Sequence, residues 1–229
     1  MNILGFKAVG KTGLFAAFIM ISSLAIPLQA SAQTNSQSSF QPIAVPQDDA
    51  SKMILVLSET LIDVLNEQRA ELEDNPAKIR EFADTYILPY VDAPKMARYI
   101  MGRYWKTTTE QQQVAFQKEF TTMLLRSYSQ SLLKLKINSV VVKPALEEKP
   151  GRVTVSSLVT QADGNKTEVI YRAYLDEKSA KWMVYDFSVE GISMLLNYRT
   201  TYLSEFGKRS VDDVIESMRI QNEEFNSRS

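Results

Sequence analysis

The chain contains no cysteine and no histidine. Without thiols it can form no disulfide, no thiolate nucleophile and no cysteine-ligated zinc or iron–sulfur site. Without imidazole it has no Ser-His-Asp triad, no side chain whose ordinary titration falls near neutral pH and no histidine metal ligand. What remains for an enzyme is a carboxylate pair, a Ser–Lys pair or an oxygen-ligated metal. An excess of one charge is also missing: 26 basic residues face 27 acidic ones, for a formal net charge of −1. Two of the lysines lie in the first 32 residues, so the rest of the chain is more acidic still. A nucleic-acid partner would want a concentrated basic face, and none is expected. Attachment to an anionic membrane by charge alone is excluded on the same ground.

Only one long apolar run occurs, from Leu14 to Leu28, and Ser22, Ser23 and Pro27 interrupt it. It is too short for a confident membrane span. Lys7 and Lys11 precede it and Ala30-Ser31-Ala32 follows it, which is the pattern of a cleaved export signal over residues 1–32. With no cysteine there is no lipobox, so a soluble exported protein is expected. Residues 33–49, rich in Ser, Gln, Asn and Pro, read as a flexible leader. Residues 50–229 then suffice for one domain with a sizeable core.

Helical spacing begins near Ser51, with Ile54, Leu57, Leu61 and Val64/Leu65 on one face. Asn75-Pro76 announces a second helix and Asp92 with Pro94 a third, which stops near Gly102. Thr108-Thr109-Glu110-Gln111 fits a capping box ahead of the longest helix, whose stripe is Phe116, Phe120, Leu124, Tyr128 and Leu132. From Ile137 the period becomes two. Strands are predicted over 140–143, 152–160, 167–175 and 181–189, with a hairpin turn at Ala162–Asn165. On strict alternation the last strand aims Met183, Tyr185, Phe187 and Val189 one way and Trp182 and Val184 the other, so cover on both faces is expected. Gly191 then turns into a helix through Leu195, Tyr202 and Phe206, and Ser210 caps a final helix carrying Val214 and Met218. The fold class is α+β, with a four-stranded antiparallel meander.

Two blocks carry a resemblance to a known family. One is Pro89-Tyr90, Asp92, Met96-Ala97-Arg98, Gly102 and Trp105, followed by a Thr-rich cap, Gln111–Gln113, Phe116 and Phe120. The other is Asp186-Phe187-Ser188-Val189-Glu190-Gly191 with Asn197-Tyr198-Arg199. Their order and spacing, with the meander between them and an export signal ahead, resemble the MlaC family of periplasmic phospholipid carriers. The resemblance implies a helical layer packed on a strongly twisted sheet, enclosing an apolar cavity for acyl chains. It implies a glycerophospholipid as cargo, no cofactor, and no enzymatic activity. The implied partners are an outer-membrane lipoprotein–porin complex and an inner-membrane ABC transporter with MCE-domain subunits. Lipid exchange between them would maintain outer-membrane asymmetry. A closed container suits the physics: about 0.8 kcal/mol per buried methylene puts a bare two-chain lipid on the order of 20 kcal/mol uphill in water.

On that reading the candidate cavity lining is Val140, Val142, Val153, Val155, Val169, Tyr171, Val184 and Phe187 from the sheet, with Phe82 and Tyr86 from the second helix. Any one of these also serves as ordinary core. Arg98, Arg103 and Lys106, around the Gly102 turn beside Tyr99, Tyr104 and Trp105, are candidates for a phosphate headgroup or an acidic partner. A solvated helix end explains them without a ligand. Asp92 reads as a helix cap. Asp186 and Glu190 would stand about 13 Å apart along a strand, beyond the roughly 5–9.5 Å of glycosidase pairs. Asp186 is expected to bond a neighbouring strand or loop, and Glu190 to help start the next helix. No catalytic or metal-ligating residue is assigned. The competing reading is an envelope adapter that carries nothing.

Overall fold

Helix starts are set by side chains that accept the otherwise unbonded N–H groups of the first turn. Asp49 accepts from the Lys52 N–H at 3.0 Å and opens α1 (Ala50–Glu67). A single turn, α2 (Arg69–Leu72), precedes α3 (Pro76–Tyr86), where Asn75 accepts from Lys78 at 3.1 Å. Asp92 accepts from Lys95 at 2.8 Å and opens α4 (Ala93–Met101). The box ahead of α5 (Glu110–Lys134) is real but one residue later than expected. Thr109 Oγ1 accepts from Gln112 N–H at 3.2 Å, and Gln112 Oε1 accepts from Thr109 N–H at 3.0 Å. Ser193 and Ser210 cap α6 (Met194–Phe206) and α7 (Val211–Asn226).

This computed structural model describes residues 40–73, 75–134 and 136–227. The expected export signal and the first part of the leader lie outside the described residues, as do the side chains of Tyr128 and Leu132. From Phe40 onward the leader packs on the protein: Phe40 is fully buried, and Gln47 exchanges hydrogen bonds with the Trp182 backbone. Polar composition concealed this because three apolar residues (Phe40, Ile43 and Val45) anchor the segment.

Among the described residues the sheet has six strands where four were expected: β1 (Ile137–Val142), β2 (Leu146–Lys149), β3 (Arg152–Gln161), β4 (Lys166–Asp176), β5 (Lys181–Val189) and β6 (Ile192–Ser193). All pair antiparallel in the order β1-β3-β4-β5-β6, with β2 also on β3. β2 is Leu-Glu-Glu-Lys, exposed throughout, so it shows no alternation to read. β6 is two residues long, and its presence changes the role of Gly191. Glu190 and Gly191, both at positive φ (49° and 78°), form a two-residue hairpin between β5 and β6 before α6 begins. Glu190 starts no helix: its carboxylate accepts from the Glu168 N–H at 3.1 Å and closes the end of β4.

Register sets the faces. A bulge leaves Tyr185 without an opposite residue on β4, since Arg172 pairs with Asp186 and Ala173 with Val184. Val184 and Phe187 therefore share a face, where strict alternation had opposed them. Through Val142↔Ser157↔Val169 and Val155↔Tyr171↔Phe187, that face also takes Val140 and Val153. α1 lies on it, burying Met53, Ile54 and Leu57 against Val153, Val155, Ala173 and Val184. A second cluster joins α4, α5, α6 and α7 through Met96, Ile100, Phe116, Phe120, Tyr202, Phe206 and Val214. A third gathers Phe40, Leu65, Leu72, Ile79, Phe82, Tyr86 and Leu133.

Candidate functional site

Between these clusters lies a cavity of about 180 Å³. Its wall comes from α1 (Leu65), α2 (Leu72), α3 (Ile79, Phe82, Ala83), the segment Ile87–Val91, α4 (Ala93, Met96), α5 (Thr121, Leu124, Leu125, Leu133) and β5 (Val184, Asp186, Phe187). The wall is almost wholly apolar, and the Thr121 hydroxyl is taken up within α5, where it donates to the Gln117 carbonyl at 2.9 Å. Such a lining offers burial and no reacting group. Its volume exceeds the roughly 150 Å³ of a cavity that stays dry and admits benzene, and falls short of the roughly 300 Å³ at which drug-sized pockets begin.

Among the described residues Asp186 is the one charged side chain on this wall, and it is 4% exposed. Three donors hold it: Arg172 Nη1 at 2.9 Å, Ser193 Oγ at 2.8 Å and the Leu195 N–H at 3.0 Å. Arg172 also donates to Ser188 Oγ at 2.9 Å. The carboxylate thus ties β4 to the first turn of α6, in keeping with the neighbouring-strand role expected of it. Asp186 and Glu190 serve separate hydrogen-bond partners and form no acid pair.

A second tie holds α4 to the sheet. Val91 bridges Val184 in parallel, and the Asp92 N–H donates to the Val184 carbonyl at 2.8 Å. The Tyr174 hydroxyl donates to the Asp92 carboxylate, and Lys95 Nζ stands 3.3 Å from the centre of the Tyr174 ring. Burial first, then this bond and the charge of Asp92, push the Tyr174 hydroxyl far above its ordinary range. Burial likewise raises Tyr171, against the opposing hydroxyls of Ser157 and Ser58.

The sequence candidates are dispersed, and only some reach the cavity. Phe82, Val184 and Phe187 stand on the cavity wall. Tyr86 packs edge-on against Phe40 and Phe82 in the third cluster, while Val153, Val155, Val142 and Tyr171 pack with α1. Val140 and Val169 are half-buried on the same sheet face, away from this wall. Arg98, Arg103 and Lys106 are exposed; Arg103 donates to the Tyr104 hydroxyl at 3.1 Å, and none of the three makes an ion pair among the described residues. Most of the wall was missed. Leu65, Leu72, Ile79, Leu124 and Leu125 sit on helix stripes indistinguishable from core, and only their convergence on a void sets them apart. Among the described residues no cluster of three acids could hold a metal ion, and no helix is long and apolar enough to cross a membrane.

The chain is similar to a toluene tolerance protein, ttg2D, of Pseudomonas putida, with 26% identity over 69% of this chain and 74% of that one. It is similar to the intermembrane phospholipid transport system binding protein MlaC of Haemophilus influenzae, with 23% identity over 71% of this chain and 77% of that one. In fold it resembles a phospholipid-binding protein from Ralstonia solanacearum solved in complex with a phospholipid. The TM-score is 0.70 at 23% identity, covering 77% of this chain and 98% of the other. The sequence model of the MlaC protein family matches residues 56–220, and the chain belongs to that family.

Proposed function

We propose that this protein binds a phospholipid by its acyl chains in the cavity between sheet and helices and carries it through the periplasm. The observation that carries the reading is the wall itself: seventeen described residues from the helices, the Ile87–Val91 segment and β5 line a void with one charged side chain among them, ion-paired with Arg172. The relatives named for phospholipid transport and binding point the same way. Two acyl chains need more room than about 180 Å³, so loading opens the helical layer relative to the sheet, with the headgroup left outermost. The two ties at Asp92 and Asp186 mark where that movement is resisted.

In this reading residues 1–32 are the export signal and the folded part is one lipid-binding domain. The protein exchanges lipid with an outer-membrane lipoprotein–porin complex and an inner-membrane MCE-domain ABC transporter, maintaining outer-membrane asymmetry, and catalyses no reaction. Arg98, Arg103 and Lys106 are the proposed contact with a headgroup or an acidic partner surface. From Ala93 to Thr109 the chain has four cations and no acid, although acids outnumber bases overall. The proposed lipid contacts are Phe82, Val184 and Phe187 on the wall, joined once the helical layer opens by Tyr86 and the sheet-face residues Val140, Val142, Val153, Val155, Val169 and Tyr171.

Native mass spectrometry with lipid extraction, on protein prepared from a Gram-negative periplasm without detergent, tests this. Stoichiometric phospholipid is expected. Folded, monodisperse, empty protein would overturn the carrier reading in favour of an adapter.

A further inference from the structure

The cavity is small, and the side chain next to it belongs to the N-terminal strap. Phe40 is fully buried. Its ring centre lies 5.8 Å from that of Phe82 and 6.0 Å from that of Tyr86, both edge-on, with Lys78 Nζ 5.8 Å away. Leu65, Leu72, Ile79, Phe82 and Leu133 belong both to the cluster around Phe40 and to the cavity wall. One layer of side chains therefore faces Phe40 on one side and the void on the other.

The strap packs on the fold without forming a strand of the sheet. Pro42 and Pro46 have no N–H to donate, so Phe40-Gln41-Pro42-Ile43-Ala44-Val45-Pro46-Gln47 cannot join the sheet as a full strand. Its anchors include three apolar side chains and the Gln47–Trp182 pair, with Trp182 N–H to Gln47 O at 2.9 Å and Gln47 Nε2 to Trp182 O at 3.3 Å. Because apolar burial rather than a strand ladder holds the segment, an acyl chain entering the slot would supply the same kind of stabilisation that Phe40 supplies. Meanwhile about 180 Å³ accommodates little more than one aromatic ring's worth of hydrocarbon. Contiguous apolar volume must come from somewhere, and the slot around Phe40 adjoins the void and is lined by leucine, isoleucine and aromatic rings.

We infer that the slot filled by Phe40 is an acyl-chain subsite, held by the protein's own N-terminal strap when no lipid is bound and vacated when a chain extends into it. This rests on the carrier reading above. The strap would compete with cargo, so its removal strengthens binding, whereas a purely structural plug would weaken it.

The test is hydrogen exchange on the full exported chain, stripped of lipid and then loaded with dioleoyl phosphatidylglycerol. Peptides covering 40–47 should exchange about tenfold faster when loaded, with α7 unchanged, and Phe40→Ala should bind the same lipid about tenfold more tightly. Loaded wild type with unchanged strap protection overturns the subsite and leaves the carrier reading intact. Weaker binding by folded Phe40→Ala overturns it equally. Wild type that takes up no lipid overturns both. The exchange measurement stands without the variant, should Phe40→Ala not fold.

Discussion

Arg199 of α6 lies against Gly102 at the end of α4, so close that a Cβ on Gly102 would stand 3.0 Å from its guanidinium nitrogens. The same guanidinium donates to the Tyr99 carbonyl and covers the Tyr99 ring at 4.6 Å. Gly102 sits at φ 54°, ψ −120°, which only glycine adopts without strain. The two sequence blocks that carry the family resemblance thus meet at this point: one supplies the glycine, the other the arginine that caps the helix preceding it. Gly102→Ala should lower stability by about 2 kcal/mol, through backbone strain and displacement of Arg199. Thermal unfolding of the variant measures it, and an unchanged midpoint would contradict the contact.

Asp186 depends on Arg172 for its countercharge. Arg172→Ala leaves a carboxylate on the cavity wall with only a hydroxyl and one N–H. Loss of one partner of a buried pair costs about 3–5 kcal/mol, and the partial exposure of Arg172 reduces this to about 2–3. Urea unfolding should show the loss, and Arg172→Lys should recover only part of it, because a flexible ammonium must find the place from which the rigid guanidinium's Nη1 donates to both Asp186 and Ser188.

Tyr202 is buried among Phe116, Phe120, Tyr198 and Phe206, and burial pushes its hydroxyl from 10.0 up to about 12. The neutral form is favoured in the folded state. Its contribution is full below pH 10.0, where the unfolded tyrosine titrates, and is lost as pH rises toward about 12. Tyr202→Phe removes this liability, so its unfolding midpoint should fall less than that of the wild type between those pH values. Equal alkaline losses in both proteins would contradict the assignment.

Ala83 is a small buried residue on the cavity wall. Ala83→Phe places a ring in a void of about 180 Å³, a size that accepts benzene. The variant should fold, with stability within about 1 kcal/mol of the wild type, and lose most of its lipid. Val155→Trp makes the contrast: Val155 is fully buried under α1 and off this wall, so the larger side chain should destabilise the protein by overpacking. Full lipid occupancy in folded Ala83→Phe would move the cargo site elsewhere.

Caps and alternation made the helices and long strands legible. Asn75, Asp92 and Ser210 do in the structure what their spacing from the apolar stripes implied. Three features were hidden for separate reasons. β2 has no apolar alternation, the bulge at Tyr185 shifts the period within β5, and the Glu190-Gly191 hairpin makes two residues pair before α6 starts. The cavity itself was the least legible. A leucine facing a void and a leucine facing another leucine occupy the same position on a helix stripe, and the difference arises only when α3, α5 and β5 converge.

The most direct test of the central claim is photo-crosslinking with a phospholipid carrying a diazirine at the end of an acyl chain, followed by peptide mapping. Adducts are expected in α3 between Ile79 and Ala83, in α5 between Thr121 and Leu125, and in β5 between Val184 and Phe187. Adducts confined to exposed residues outside this wall, with none on it, would contradict the placement of the acyl chains in the cavity.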